Sequence, residues 1–133
     1  MLWRVVGYYA VRLTENALPP TRMSSRAAGI DVRSAYDVIP AAGGSLIRTD
    51  LAIQIPAECY GQLVLRYRLA PYHHIVMGGV TDEDYRGHLY VNLFNHPARP
   101  FQVFRGDYVA HLTYHKIFYP NVEMNSASED SVQ

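Results

Sequence analysis

An all-β fold is predicted by short runs of period-two hydrophobicity, dense turn chemistry between them, and no segment with a helical repeat of three turns. Leu51, Ile53 and Ile55 alternate with Ala52 and Gln54, and Leu89, Val91 and Leu93 alternate with His88, Tyr90 and Asn92. That period sends one side chain in two toward a core and the other toward solvent. The run Gly61-Gln62-Leu63-Val64-Leu65 is more continuously apolar, and reads as a strand buried on both faces. Phe101 and Val103 flank Gln102 as a further short strand.

Turns separate these runs at Pro19-Pro20, residues 40–44, Gly78-Gly79, residues 96–100 and Arg105-Gly106-Asp107. Strands and turns spaced in this way indicate a barrel or sandwich. The 133 residues suit one domain. It is expected over 1–122, followed by a polar tail over 123–133.

Composition narrows the function. Hydrophobic residues are 49% and charged residues 18%, as in an ordinary globular chain. Twelve basic residues balance twelve acidic ones, so the large positive field that drives nucleic-acid or anionic-membrane binding is missing. A nucleotide-sized ligand needs only a few local charges. Cys59 is the single cysteine, in a turn-like context, so no intrachain disulfide forms. Arg4 and Arg12 interrupt the mildly apolar start, and no run approaches the roughly 20 residues that span a bilayer. The expected location is intracellular, cytoplasm or nucleus.

Three sites carry candidate chemistry. Asp31 lies within the apolar run Ala28-Gly29-Ile30-Asp31-Val32. A buried carboxylate is costly unless paired or near a metal, though on this fragment alone a turn cap at Gly29 is the favoured reading. Residues 78–87 bracket Asp82, Glu83 and Asp84 with glycines, which reads as a β-hairpin whose backbone a ligand can approach closely, or as a solvated acidic tip. Arg66 and Arg68 end an apolar strand, where guanidinium forks suit phosphate, or where they are plain surface charges. The six histidines include His73-His74 and the pair His111 and His115, which share a strand face without a third ligand at metal-site spacing. The eleven tyrosines read as β-propensity and packing, not as a base-stacking platform.

In order and spacing these segments resemble the homotrimeric dUTPase family. Residues 26–37 resemble its first motif, Gly79 to Gly87 its third and Gly106 to Leu112 its fourth, with similar lead-in and exit segments, so that the likeness covers about residues 11–122. Several linked motifs in order are far more specific than any one. The resemblance implies a distorted jelly-roll or β-barrel subunit, a homotrimer, and magnesium-dependent hydrolysis of dUTP to dUMP and pyrophosphate. It implies Asp82 as the general base and Asp31 as the carboxylate that supports Mg2+ through water. Tyr85 would pack on deoxyribose and exclude a 2′-hydroxyl. Gly79 and Val80 would present backbone to uracil, and Arg66 and His111 would face phosphate.

The pattern also departs from the family. Tyr67 and Arg68 stand where the second motif has serine and glycine, His111 stands for glutamine, and residues 71–77 look one residue short. The Gly-rich arm of the fifth motif is expected to be missing, because the sequence reaches Gln133 about where that arm begins. Lost phosphate donors of this kind cost roughly 2.7–4 kcal/mol each, so hydrolysis is expected to be weak or lost. The alternative is an inactive viral dUTPase-like protein acting on a host partner, as adenoviral early-region proteins that resemble dUTPases do. PDZ binding of the kind such proteins show is not expected here, since Gln133 stands where an apolar residue is needed.

Overall fold

The computed structural model describes residues 2–5, 8–40, 43–65, 74–76, 79–95 and 102–125. Among the described residues ten strands run β1 (Leu2–Val5), β2 (Tyr8–Arg12), β3 (Gly29–Arg33), β4 (Gly43–Arg48), β5 (Leu51–Ile53), β6 (Cys59–Leu65), β7 (His74–Val76), β8 (Val80–Thr81), β9 (Tyr90–Asn95) and β10 (Tyr108–Lys116). No helix occurs among the described residues, so none there is long and apolar enough to cross a membrane, a statement that leaves β-barrels aside. The strands form three antiparallel sheets in the orders β1-β2-β5, β3-β10-β6-β8 and β4-β9-β7. This is an all-β, jelly-roll architecture.

The inward side chains of the sheets meet in one core: Ile30 and Val32 from β3, Ile47 from β4, Leu51 and Ile53 from β5, Leu63 from β6, Val91 and Leu93 from β9, and Val109, Ala110 and Leu112 from β10. The alternation expected over 89–93 is realised, with Leu89, Val91 and Leu93 all buried. In β6 the two-sided burial does not hold. Gln62 is exposed between buried Gly61 and Leu63, because this strand has one face on the core and the other on solvent. Of the run at 101–103, Val103 makes only an isolated bridge to Val38, and Phe101 lies outside the described residues.

Two backbone features fix the frame around the site. A Cβ at Gly29 would sit 2.1 Å from the Leu112 carbonyl oxygen, so only hydrogen lets β3 and β10 approach this closely. Asp50, in the corner between β4 and β5, holds φ at 53°, a left-handed conformation that Asp tolerates better than most residues.

Candidate functional site

The stretch read as a hairpin joins β7 to β9, and these two strands do pair antiparallel, Ile75 with Phe94 and Val76 with Leu93, but the connection is not a simple turn. β8 pairs with β6, whereas β9 pairs with β4 and β7, so residues 82–89 form a corner from one sheet to another. The turn closes through the Tyr85 amide, which donates to the Asp82 carbonyl at 3.1 Å. The corner is then drawn onto β5. The Leu89 amide donates to Leu51 O at 2.7 Å, and the buried Thr49 hydroxyl donates to Leu89 O at 2.5 Å. Sequence periodicity showed two strands flanking a turn but could not show which neighbours each would choose.

That corner walls a cavity of about 230 Å³, lined by Leu63, Gly79, Val80, Thr81, Asp82, Tyr85, His88, Leu89 and Tyr90. Four residues singled out from sequence, Gly79, Val80, Asp82 and Tyr85, therefore share one pocket. Asp82 is exposed, as a carboxylate must be to meet a water. Tyr85 lies over Gly87, where an added Cβ would come within 2.6 Å of the phenol oxygen, and its hydroxyl donates to His88 O at 2.7 Å. β8 ends its sheet, so among the described residues no strand covers its outer edge. The backbone groups of Val80 and Thr81 are thus placed beside the pocket in a strand that is paired on one side. Of the neighbouring acids, Glu83 accepts a 2.7 Å hydrogen bond from the Tyr119 phenol, and this bond, with the nearby acidic charges, pushes the Tyr119 pKa up to about 12.

Asp31 and His111 are joined to each other and not to this pocket. Asp31 is in mid-strand rather than in a turn, 1% exposed, with backbone hydrogen bonds to Thr21 of 2.8 and 3.0 Å. His111 Nδ1 lies 2.9 Å from Asp31 Oδ1 across the β3–β10 register. The sheet order puts β3 at the edge opposite β8. Asp31 pairs with His111, which pairs with Val64, and Thr81 pairs with Gly61, three residues further along β6. Three strand spacings of about 4.8 Å and that offset separate Asp31 from Thr81 by on the order of 17 Å. Arg66, Tyr67 and Arg68 follow β6 but lie outside the described residues.

Beneath the pocket is a cluster that the sequence reading missed. Asp50 is fully buried and takes hydrogen bonds from the Thr14 hydroxyl at 2.5 Å and from the Tyr36 phenol. Arg48 stands 3.2 Å from its other oxygen and also over the Tyr36 ring, and His88 Nε2 stands 3.6 Å away. Burial pushes the Asp50 carboxyl up, but the Thr14 and Tyr36 hydrogen bonds and the charges of Arg48 and His88 hold it net below its ordinary value. His88 Nε2 accepts the Asp50 amide at 3.0 Å, which orients the ring and favours its neutral form with the proton on Nδ1. Burial and Arg48 lower the His88 pKa against the pull of Asp50. The only sequence signal for this cluster was an Asp ahead of an apolar strand.

Comparison with known proteins decides the family. Residues 15–133 match the dUTPase family model. The chain belongs to the dUTPase family. It is 47% identical over 122 residues to human mitochondrial deoxyuridine 5′-triphosphate nucleotidohydrolase, an alignment of 90% of this chain and 48% of the human one. It is 46% identical over 116 residues to the enzyme of the same name from fowl adenovirus A serotype 1, covering 86% of this chain and 65% of the viral one. The chain thus spans about half the length of its human relative. Among solved structures, a dUTPase variant from phage phi11 of S. aureus, described for its coordination of a structural Mg(II) ion, superposes with a TM-score of 0.81 at 26% identity, covering 90% of this chain and 97% of that one.

Proposed function

We propose that this dUTPase family member binds a deoxyuridine nucleotide in the pocket of Asp82 and Tyr85 and hydrolyses dUTP slowly to dUMP and pyrophosphate. The observation that carries the proposal is the shared pocket itself: an exposed carboxylate, a tyrosine ring held over Gly87, and the edge backbone of β8 on one cavity wall. In this reading the backbone at Gly79 and Val80 meets the edge of uracil, and Tyr85 packs on the sugar where a 2′-hydroxyl would collide. Asp82 accepts a proton as water oxygen attacks the α-phosphorus, and the bond from that phosphorus to the bridging oxygen breaks to release pyrophosphate.

The second half of the site must come from elsewhere. Asp31 on the edge strand β3 and His111 on its neighbour β10 lie two to three strands away from Thr81 on β8, too distant to serve the same nucleotide within one chain. A homotrimer that places Asp31 and His111 of one copy beside the pocket of another removes this difficulty. The donor set also fits magnesium in a limited way. Asp31 is nearly enclosed and already bonded to His111, and no group of three or more His, Cys, Asp or Glu side chains is assembled among the described residues. Such a site suits an ion held mainly by its own waters and by nucleotide phosphates, with Asp31 as an outer contact. When bound, the ion would offset triphosphate charge. Arg66 and His111 would add positive or donating groups to the phosphates.

Slow turnover is inferred from Tyr67 and Arg68 at the serine and glycine positions of the second motif, since a displacement near 1 Å costs about a hundredfold. A second reading, a non-hydrolysing protein that acts on a host protein, is favoured by the exposed apolar residues Phe118, Tyr119, Val122 and Met124. Either activity belongs inside a cell, where dUTP or such a partner is found. Pyrophosphate release from dUTP with magnesium, set beside calorimetry with dUMP, separates the readings. Slow release abolished by Asp82→Asn supports the enzyme. Binding of dUMP without release supports the second reading, and absence of binding defeats the pocket assignment.

A further inference from the structure

One wall of the pocket is aromatic in a way the family resemblance does not account for. His88 and Tyr90 are two apart in an extended segment, so their side chains fall on one side while Leu89 and Val91 turn into the core. Their rings stack nearly parallel, 4.1 Å between centroids and 9° between planes. Both line the cavity. His88 cannot follow a moving neighbour, because its Nε2 is held by the Asp50 amide and its carbonyl by the Tyr85 hydroxyl. Tyr90 is therefore supported on one face by a fixed ring and is still 42% exposed. A large aromatic left this open, beside a cavity and backed by a rigid partner, is a prepared stacking surface.

We propose that Tyr90, backed by His88, is a base-binding residue of the pocket and stacks its open face on the nucleobase of the bound deoxyuridine nucleotide. The inference rests on the nucleotide-binding reading given above. It adds a division of labour: backbone at residues 79–81 reads the edge of the base, Tyr85 faces the sugar, and Tyr90 requires that the base be flat and aromatic. Stacking of this kind is tolerant of base identity, so selection among aromatic bases remains with the edge contacts.

The test compares dUMP with 5,6-dihydro-dUMP by calorimetry on the full chain. The dihydro base keeps the N3–H and both carbonyls but loses its planar aromatic ring. The wild-type protein should bind dUMP roughly 5- to 100-fold more tightly than the dihydro analogue, the range expected for removing one base-aromatic stack. Tyr90→Ala should erase that preference by weakening dUMP alone, and Tyr90→Phe should keep it to within about a factor of two. A wild type without preference overturns the proposal, even if Tyr90→Ala fails to fold. So does a folded Tyr90→Ala that binds both ligands as the wild type does, or binds dUMP more tightly. Wild-type protein that binds neither ligand instead defeats the underlying nucleotide assignment.

Discussion

Replacing Asp50 with Asn tests how much of this fold depends on one buried charge. The substitution preserves shape and tolerates the left-handed φ of 53°, so it isolates the carboxylate's charge and its accepting capacity. Two hydroxyl donors, Thr14 and Tyr36, converge on the same oxygen, and hydrogen bonds to a charged group contribute about 1.5–3 kcal/mol each. An amide oxygen can still accept in their place, but as a neutral and weaker partner. The Arg48 contact adds less than about 1 kcal/mol, because its side chain is 52% exposed and screened by water. The amide NH2 of Asn would also face the Arg48 guanidinium, where it has nothing to donate to. The expected loss is about 2–4 kcal/mol, the scale seen when a buried ionic partner is removed. For a chain of this length that lowers Tm by on the order of 10 °C.

The assay is urea unfolding at fixed protein concentration, repeated across pH, since any assembly makes apparent stability concentration-dependent. Asp50 has a depressed folded pKa, so its contribution is present above the ordinary carboxylate value of 3.8 and is lost as pH falls through the lower folded value. Wild type and Asp50→Asn should therefore converge below pH 4. His88 is also depressed, so both proteins lose stability as pH drops from its ordinary value of 6.5. The variant should lose it more steeply there, because the attraction of Asp50 that partly offsets the His88 shift is gone. A variant within about 0.5 kcal/mol of wild type at pH 7, or a gap that stays constant down to pH 3, would refute the reasoning.

Gly29→Ala should destabilise by about 3 kcal/mol or more in the same assay, since the new Cβ would meet backbone atoms of Leu112 at 2.1 and 2.8 Å, which cannot rotate away. Gly87→Ala meets only the Tyr85 side chain, 41% exposed and able to move, so stability should change by less than about 1 kcal/mol. Calorimetry with UMP and dUMP should instead show reduced discrimination against the ribonucleotide. In a spectrophotometric pH titration of the folded protein, one phenol should ionise at about 12, and Tyr119→Phe should remove that component.

The sequence made some levels of this structure legible and concealed others for physical reasons. Period two identified the inward residues of β9, because burial on one face leaves a local record in the order of side chains, but it failed in β5, where Ala52 is buried as well as Leu51 and Ile53. Pairing leaves no such record. β7 and β9, which flank the stretch read as a hairpin, do pair, yet nothing marked that β8 between them bonds to β6 or that β9 also bonds to β4, since hydrogen bonding is done by backbone that every residue shares. Asp31 shows the same limit. Its charge within an apolar run was visible, but its partner His111 is 80 residues away and is brought opposite by register alone. Asp82, Tyr85 and Gly79 were found together because they are close in sequence as well as in space. Asp50, Thr14, Tyr36, Arg48 and His88 come from five separated positions, and only the folded chain assembles them.

That cluster also connects stability to the pocket. The carboxylate of Asp50 is kept ionised by Thr14, Tyr36 and Arg48, while its amide fixes the ring of His88. His88 in turn supports Tyr90 by stacking and receives the Tyr85 hydroxyl at its carbonyl. Two residues facing the cavity are thereby tied through one residue, His88, to the buried charge of Asp50. A short, exposed corner of eight residues would otherwise sample many conformers, and ordering it on binding would cost affinity for every side chain immobilised. Here the ordering is already done by the fold. The consequence is that a shift of the backbone at Asp50, once its carboxylate no longer holds Thr14 and Tyr36, should reach the pocket before the chain unfolds, because the amide that anchors His88 moves while the core of β9 and β10 remains packed.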